Sequence, residues 1–279
     1  MAHQLLLCTD LDRTLIPNGQ QPESPRARPL FSSLAAHPQV TLAYVSGRDR
    51  ELVLNAIQDY QLPRPDWIIG DVGSTIYRLN GAGLVHWTEW DEAIADDWNG
   101  NTGFELRGLF RDLASLKLQE DSKQNTHKLS YYLPLEISFK SLEPELRHRL
   151  GVADLQSSLI YSVDEEAQVG LLDILPSSAN KLNAIRFLMQ SEDFTDENTV
   201  FAGDSGNDLS VLCSEVPSVL VANARADVVK EAVTQASENN TSSSLYLAQG
   251  GFMDLNGHYS AGILEGVCHF HPEMASWLA

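Results

Sequence analysis

The sequence predicts an α/β protein: a Rossmann-like parallel-sheet core with an inserted α+β cap domain. Apolar runs of strand length alternate with helical patterns in the first part of the chain, and this alternation returns near its end. At 279 residues the chain exceeds the commonest domain size but falls short of two full domains, which favours one core with an insertion. We therefore expect a discontinuous core of residues 1–87 and 174–279, and a second domain at 88–173.

The first part of the core is predicted from apolar runs separated by amphipathic helices. An Asn-Gly pair between the last two runs is typical of a hairpin turn. The expected elements are strand Gln4–Thr9, helix Pro29–Ala36, strand Val40–Val45, helix Arg50–Tyr60, strand Trp67–Gly70, and strands Thr75–Leu79 and Leu84–Trp87.

The middle of the chain predicts the inserted domain, in the order helix, strand, helix, strand, strand. Its elements are helix Phe104–Leu116, strand Lys128–Leu133, helix Leu142–Leu150, and strands Leu159–Val163 and Val169–Ile174. The core then resumes with helix Asn180–Met189, strand Thr199–Ala202, a helix from near Asp208, strand Val219–Ala222 and helix Ala261–Phe270. The polar stretch Ser237–Ser244 is predicted to be a loop.

Composition indicates a globular protein of a reducing compartment. Hydrophobic residues make up 43% and charged residues 20%, and no apolar run approaches the roughly 18 residues of a membrane span. The first residues do not have the pattern of a secretion signal, so we expect a cytoplasmic location. Cys8, Cys213 and Cys268 are widely spaced, which favours reduced thiols over a disulfide framework or a zinc site.

The formal net charge of −19 restricts the partners of this protein. Such a charge repels nucleic acid and anionic lipid, so neither nucleic acid nor a membrane is expected as a partner. An anionic small molecule would meet the same repulsion. It would need a bound cation or a few basic groups inside the site.

Two carboxylates follow the first predicted strand. Asp10 and Asp12 are two positions apart, and residues i and i+2 of a strand share a face, so both can converge on one reacting atom. One can then act as a nucleophile and the other as a proton carrier. Taken alone, helix capping or turn formation explains the pair equally well.

Two further polar segments occupy comparable places. Ser46-Gly47-Arg48 follows the strand Val40–Val45 and precedes a helix, where a hydroxyl and backbone N–H groups bind phosphate, although an ordinary turn has the same composition. Lys181 follows Asn180 at the start of a helix. A lysine there is unfavourable with the helix dipole, which indicates a function, although most lysines are solvated surface residues.

The segment Gly203–Asp208 follows the strand Thr199–Ala202 and contains two acids, an amide and two glycines. This composition is typical of a tight loop whose carboxylates bind a hard cation such as Mg²⁺. Ligands of open α/β sheets bind at the carboxyl ends of the strands, where these segments are predicted to lie. Because all occur together and in order, we predict an active site.

The motifs D-L-D-R-T, S-G-R, N-K and G-D-S-G-N-D resemble those of the haloacid dehalogenase superfamily of phosphatases. The resemblance spans the whole chain, and the insertion is similar to the large cap of members that hydrolyse sugar phosphates, the sucrose-phosphate phosphatases above all. Three other segments are also similar to that family: Gly73–Tyr77, Lys128–Tyr131 and Ser260–Glu265.

The resemblance implies a role for each matching residue. Asp10 would be the nucleophile and Asp12 the general acid and base, while Lys181 and Ser46, in the loop with Gly47 and Arg48, would hold the phosphate. Asn207 would add a hydrogen bond. Mg²⁺ would be bound by Asp10, the main-chain carbonyl of Asp12, Asp204 and Asp208. From the cap, Lys128, Ser130 and Tyr131 are predicted to face the substrate, although a strand with ordinary alternation is an equal alternative.

The activity that the resemblance implies is Mg²⁺-dependent hydrolysis of a sugar phosphate, with sucrose 6-phosphate as the leading candidate. Mannosylfructose, glucosylglycerol and mannosylglycerate phosphates are alternatives, as is phosphoryl transfer between two positions of one sugar. A different alternative is a non-catalytic module that regulates a sugar-phosphate synthase. Such a synthase is also a possible partner of an active enzyme.

Overall fold

A computed structural model describes residues 5–81, 83–164 and 167–278 of the chain, so Gln4 of the first predicted strand lies outside them. The strands are β1 Leu5–Thr9, β2 Val40–Val45, β3 Trp67–Gly70, β4 Thr75–Asn80, β5 Gly83–His86, β6 Lys117–Leu118, β7 Leu129–Leu133, β8 Ser157–Asp164, β9 Val169–Pro176, β10 Thr199–Gly203, β11 Ser218–Leu220 and β12 Leu245–Leu247. The helices are α1 Ala27–Ala35, α2 Arg50–Asp59, α3 Thr88–Ala95, α4 Gly103–Leu106, α5 Phe139–Val152, α6 Lys181–Ser191, α7 Leu209–Leu212, α8 Ala226–Glu238 and α9 Ser260–Phe270.

The larger of two sheets has the strand order β12-β11-β10-β1-β2-β3-β4-β5. The strands from β12 to β3 are parallel, while β4 and β5 are antiparallel to their neighbours. The chain runs from β1 toward one edge and later from β10 toward the other. The point where the strand order reverses therefore lies between β1 and β10, and ligands bind at such points.

Strand β1 is buried along its whole length because hydrophobic clusters cover both faces of the larger sheet. Leu5 and Leu7 pack into the cluster that includes residues of α1 and α9, while Leu6 and Cys8 pack into the one with residues of α6 and α8. This alternation fixes the register of β1, since a slip by one residue would exchange the two faces. The register in turn fixes where Asp10 emerges from the sheet.

The smaller sheet has the order β6-β7-β9-β8 and its own hydrophobic cluster, which includes Leu146 and Leu150 of α5. Helix α3 instead packs on the larger sheet, because Trp90 and Ile94 belong to a cluster of that sheet. Strand β9 continues to Pro176. The segment that forms the smaller sheet and its helices thus runs from Asp96 to Pro176. The predicted limits of the inserted domain were 88 and 173. We use "the cap" for residues 96–176 below.

Some predicted elements differ from the structure. The helix predicted at Phe104–Leu116 is wrong: α4 ends at Leu106, a 3₁₀ turn follows, and Gly108 in that turn is a poor helix former. The predicted loop Ser237–Ser244 overlaps the end of α8, a helix that was not predicted although Val228 and Val229 on it pack against the hydrophobic cluster that includes α6. Helix α3 and the short strands β6 and β12 were not predicted.

Two further observations concern compartment and membrane. The three cysteines are buried and free. In the part of the chain that the structure describes, the helices are too short or too polar to cross a bilayer.

Candidate active site

Residues from distant parts of the chain meet at the carboxyl ends of β1 and β10. Asp10 directly follows β1 and Asp204 directly follows β10, and the Asp10 N–H donates to the carbonyl of Ala202 at 2.9 Å. Lys181 is the first residue of α6, which Asn180 caps by accepting a hydrogen bond from the Asn183 N–H at 2.9 Å. The sheet and this cap together determine where the charged groups lie.

Lys181 is at the centre of the cluster. Its Nζ lies 3.0 Å from Asp10 Oδ1, 2.7 Å from Asp208 Oδ1 and 3.4 Å from Asn207 Oδ1. The lysine side chain is 1% exposed. Burial favours the neutral amine, but the charges of Asp10 and Asp208 outweigh burial and raise the pKa of Lys181. The lysine therefore stays a cation at neutral pH.

Asp208 shapes the loop that carries Asp204. Its Oδ2 accepts hydrogen bonds from the N–H groups of Asp204 and Ser205, both at 3.1 Å, and from the Ser205 hydroxyl at 3.2 Å. Its other oxygen pairs with Lys181. Asp208 thus supports the loop, and Asn207 beside it lines the cavity described below.

Asp204 has partners from the loop after β1. The Arg13 Nε lies 3.2 Å from Asp204 Oδ2, and the Thr14 hydroxyl lies 3.5 Å from Asp204 Oδ1. Arg13 has a φ of 58°, and its carbonyl accepts a hydrogen bond from the buried Asn223 side chain at 2.6 Å. These contacts hold the two aspartate-bearing loops against each other.

The buried carboxylates fit a hard divalent cation. Oxygen atoms of Asp10, Asp204 and Asp208 all lie within 4.8 Å of one another. Burial raises the pKa of Asp10 to about 7, an increase that Lys181 opposes and Asp208 reinforces. Burial and the charge of Asp208 raise the pKa of Asp204 to about 6. Burial and the neighbouring acids make it unfavourable for these carboxyl groups to ionise together. A bound cation would stabilise their ionised forms, and Mg²⁺ prefers such oxygen ligands.

Asp12 is paired differently from Asp10. Arg48 donates two hydrogen bonds to it, from Nε to Oδ2 at 2.7 Å and from Nη2 to Oδ1 at 2.6 Å, and Asn18 donates a third at 2.7 Å. Burial opposes the ionisation of Asp12, but the hydrogen bonds and charge of Arg48 outweigh burial and lower its pKa. Arg48, predicted to bind phosphate, thus pairs with the predicted acid and base.

Ser46 follows β2 and is fully buried, with its hydroxyl oxygen accepting a hydrogen bond from the Arg48 N–H at 3.2 Å. Its N–H donates to Ile69 in the neighbouring strand at 2.8 Å. Gly47, the next residue, lines the cavity. The loop therefore presents Gly47 and Arg48 at the cavity, whereas Ser46, also predicted to hold the phosphate, does not line it.

A cavity of about 870 Å³ lies above these groups. Asp10, Asp12 and Asp204 line its core side, and residues of the cap line the other side. The cap residues are Gln119, Lys123, Lys128, Tyr132, Asp164, Ala167, Leu171 and Asp173. Both parts of the chain thus contribute to one site.

The cap residues predicted to face the substrate do not all lie at this cavity. Lys128 lines it, whereas Ser130 is fully buried and its hydroxyl donates to Asp173. Tyr131 lies in the hydrophobic cluster of the cap, and Tyr132 lines the cavity instead. Strict alternation along β7 would have chosen Tyr132, since it shares a face with Lys128 and Ser130.

Comparisons with known proteins identify the family of this chain. A family model described as sucrose-6F-phosphate phosphohydrolase matches residues 3–271. A haloacid dehalogenase-like hydrolase of Nitrosococcus oceani is 52% identical over 278 residues, which cover 100% of this chain and 75% of that protein. A mannosylfructose-phosphate phosphatase of Agrobacterium fabrum is 27% identical over 269 residues, covering 95% of this chain and 96% of the relative.

A solved structure extends the likeness to the fold. The sucrose-phosphatase of a Synechocystis species, in complex with sucrose and phosphate, has a TM-score of 0.71 and 25% identity, covering 96% of this chain and 98% of that one. The expected superfamily and α/β fold are confirmed. Phosphatases of this superfamily generally use a metal ion, which agrees with the acidic cluster. The chain is therefore a phosphoric monoester hydrolase that belongs to the sucrose-6F-phosphate phosphohydrolase family.

Proposed function

We propose that the protein hydrolyses sucrose 6-phosphate to sucrose and phosphate, with Mg²⁺ as its cofactor and an aspartyl phosphate as intermediate. One observation carries the proposal: Asp10 and Asp204 line one side of a cavity that the cap lines on the other, and the buried Lys181 lies 3.0 Å from Asp10 Oδ1. A phosphate at the core side would then leave its sugar against the cap.

Asp10 would attack phosphorus, forming an Oδ–P bond while the bond from phosphorus to the sugar oxygen breaks. Its carboxylate is held at 3.0 Å by the Lys181 ammonium, and the same ammonium can neutralise charge on the transferred group. Gly47, which follows the buried Ser46 and lines the cavity, would contact the phosphate oxygens through its backbone. These groups would supply positive charge and hydrogen-bond donors inside a strongly acidic chain.

Asp12 would give a proton to the leaving sugar oxygen and later take one from the water that cleaves the aspartyl phosphate. In the structure Arg48 holds Asp12 as a carboxylate. The acid step therefore requires Asp12 to gain a proton and loosen its contact with Arg48. Substrate binding can drive that change, because a phosphate offers Arg48 another anionic partner.

The residues that would hold Mg²⁺ are Asp10, Asp204, Asp208 and the main-chain carbonyl of Asp12. When bound, such an ion neutralises phosphate charge as a Lewis acid and relieves the repulsion between the carboxylates. Asp208 already bonds to Lys181 and to the loop N–H groups, so its part is chiefly to support Asp204.

The substrate is proposed from the relatives and the cavity. A volume of about 870 Å³ lies within the range of small-molecule sites and can hold a disaccharide phosphate. A related protein acts on mannosylfructose phosphate, as its name states, so that disaccharide phosphate is the second candidate. We propose the cap, and Lys128 and Tyr132 in it, as the part that distinguishes these sugars.

A phosphate-release assay over a panel of sugar phosphates tests the substrate. The panel contains sucrose 6-phosphate, mannosylfructose, glucosylglycerol and mannosylglycerate phosphates, and glucose 6-phosphate. We expect the highest kcat/KM with sucrose 6-phosphate. An equal rate with glucose 6-phosphate would refute this substrate, and isomerised sugar phosphate in place of free phosphate would indicate a mutase.

Two substitutions test the chemistry. Asp10→Asn should abolish turnover in a folded protein because it removes the nucleophilic oxygen with little change in volume. Asp204→Asn should raise the Mg²⁺ concentration needed for half-maximal activity. Asp227→Asn is the control, because Asp227 lines the same cavity but pairs with Arg225 on the surface. An unchanged Mg²⁺ requirement in the Asp204 variant would remove that residue from the metal site.

A further inference from the structure

A buried ion pair joins the cap to the core beside the cavity. Lys128 Nζ lies 2.8 Å from Asp71 Oδ1, and the two side chains are 6% and 7% exposed. Lys128 lines the cavity with Asp10 and Asp12, whereas Asp71 follows β3 in the core. The resemblance to known families assigned no role to Asp71, although it follows a buried parallel strand as Asp10 and Asp204 do.

The loop that carries Asp71 is held by the same segments that carry the catalytic groups. The Asp71 N–H donates to the Arg48 carbonyl at 2.9 Å, and the Val72 N–H donates to the Ser46 carbonyl at 3.2 Å. Gly73 lies so close to α6 that a Cβ atom there would come within 2.8 Å of Lys181 N. The position of Asp71 is therefore set by the Ser46 loop and by the start of α6.

The backbone of this loop is strained, which indicates that its contacts determine its shape. Asp71 and Val72 have φ angles of 50° and 61°, and Gly73 has 99°. A β-branched residue rarely adopts such an angle, and strain of this kind persists only where surrounding contacts impose it. Trp90 adds one such contact, because its indole N–H donates to the Gly73 carbonyl at 3.0 Å.

We propose that Asp71 is a positioning residue, which holds Lys128 over the cavity at a place fixed by the loops on the phosphate side. Lys128 then contacts the sugar part of the substrate at a set distance from the phosphate. This inference rests on the proposed function, because it takes the sugar to lie against the cap. It makes Asp71 a determinant of sugar affinity although it does not itself line the cavity.

The test compares Asp71→Asn, Lys128→Gln and the double variant on the best sugar phosphate of the panel. We expect each single variant to raise KM about tenfold with kcat changed less than about threefold, the signature of lost binding common to ground and transition states. The double variant should be no worse than either single one, because residues that act through each other are not additive. A KM unchanged by Asp71→Asn, a loss in kcat alone, or multiplied effects in the double variant would overturn the proposal.

Ser178→Ala is the matched control. The Ser178 hydroxyl donates to Asp97 Oδ2 at 2.7 Å, so this is a second contact between core and cap, but neither residue lines the cavity. A single hydrogen bond contributes about 1 kcal/mol, and we expect its loss at this distance from the sugar to change KM by less than about threefold. An equal rise in KM in both variants would overturn the specific role of Asp71, because any loosening of the cap would then suffice.

Two measurements keep the test independent of folding and of substrate. Asp71→Asn removes the partner of the buried Lys128 charge. If this variant does not fold, the double variant, which lacks both charges, should still fold and have the same KM as Lys128→Gln. Hydrogen exchange without substrate should be faster over residues 125–131 in Asp71→Asn than in Ser178→Ala. That result would stand even if no sugar phosphate were hydrolysed, and equal exchange would overturn the positioning role.

Discussion

Lys181 Nζ lies 3.0 Å from Asp10 Oδ1, although the two residues are 171 positions apart in the chain. The same ammonium lies 2.7 Å from Asp208 Oδ1. One buried cation thus neutralises two buried carboxylates from separate loops. Its loss would leave both acids without their nearest positive charge.

Lys181→Met should therefore damage both stability and activity. Breaking a buried ion pair by removing one partner costs about 3–5 kcal/mol, which urea unfolding without added divalent ions would measure. Phosphate release should fall by at least about 100-fold, as when one group that stabilises the transition state is removed. Lys140→Met is the control, because Lys140 is exposed on α5. Near-normal turnover would exclude Lys181 from phosphate binding.

Arg48→Gln should reduce kcat by about 10-fold to 100-fold, because the Asp12 carboxylate loses the two hydrogen bonds that would orient it to take a proton from water. The side chains of Arg48 and Asp12 are 25% and 40% exposed, so stability should change by about 1 kcal/mol or less. Steady-state kinetics and urea unfolding measure the two effects. Arg50→Gln, which removes an exposed pair with Glu51, should leave both unchanged. The same kcat in both variants would contradict the orienting role.

His127 should make stability depend on pH. Burial lowers the pKa of His127, while the charge of Asp91 opposes that change. A histidine with a lowered folded pKa binds its proton first in the unfolded state, so stability is lost as the pH falls below about 6.5.

The measurement is urea unfolding at about pH 8 and about pH 5.5 for the wild type and His127→Gln. On acidification the wild type should lose more stability than His127→Gln does, and the difference should be at most about 1.4 kcal/mol per pH unit. His148→Gln removes an exposed histidine and should behave like the wild type. Identical pH dependence in all proteins would show that His127 is protonated equally in both states.

Truncation of Tyr131 should mainly reduce stability, whereas truncation of Tyr132 should mainly weaken substrate binding. Tyr131→Ala removes a side chain from the hydrophobic cluster of the cap and should destabilise the protein by about 3–5 kcal/mol. Tyr132→Ala should raise KM about tenfold, as loss of one good substrate contact does, with stability nearly unchanged. Thermal unfolding and kinetics on one substrate separate the two. A larger KM effect at Tyr131 would mean that the strand face is assigned incorrectly.

The elements of the core were predictable because each leaves a local pattern. The apolar run before Asp10 and the one before Asp204 mark buried parallel strands, and both strands formed as expected. Helix α8 was overlooked although it has such a pattern, because Val228, Val229, Ala232 and Ala236 lie on one face. The segment around Gly108 shows the opposite case, where an apolar pattern predicted a helix that the packing of the cap replaced with turns.

Most residues of the candidate site were also predictable from the sequence. Asp10, Asp12, Ser46 and Lys181 were predicted as candidates from their places after strands and at a helix start. Asp71 also directly follows a strand, but it was overlooked because the segment that resembles known families begins only at Gly73.

The sequence alone determined which loops are candidates for the active site, because strand ends, helix caps and period-two alternation depend on neighbours along the chain. Tertiary structure decided which charges meet: Lys181 between Asp10 and Asp208, Arg48 on Asp12, and Lys128 on Asp71. The reason is physical. Pairing between distant residues depends on the strand order, on the depth of burial and on the free energy of desolvating each charge, none of which leaves a mark in a local stretch of residues.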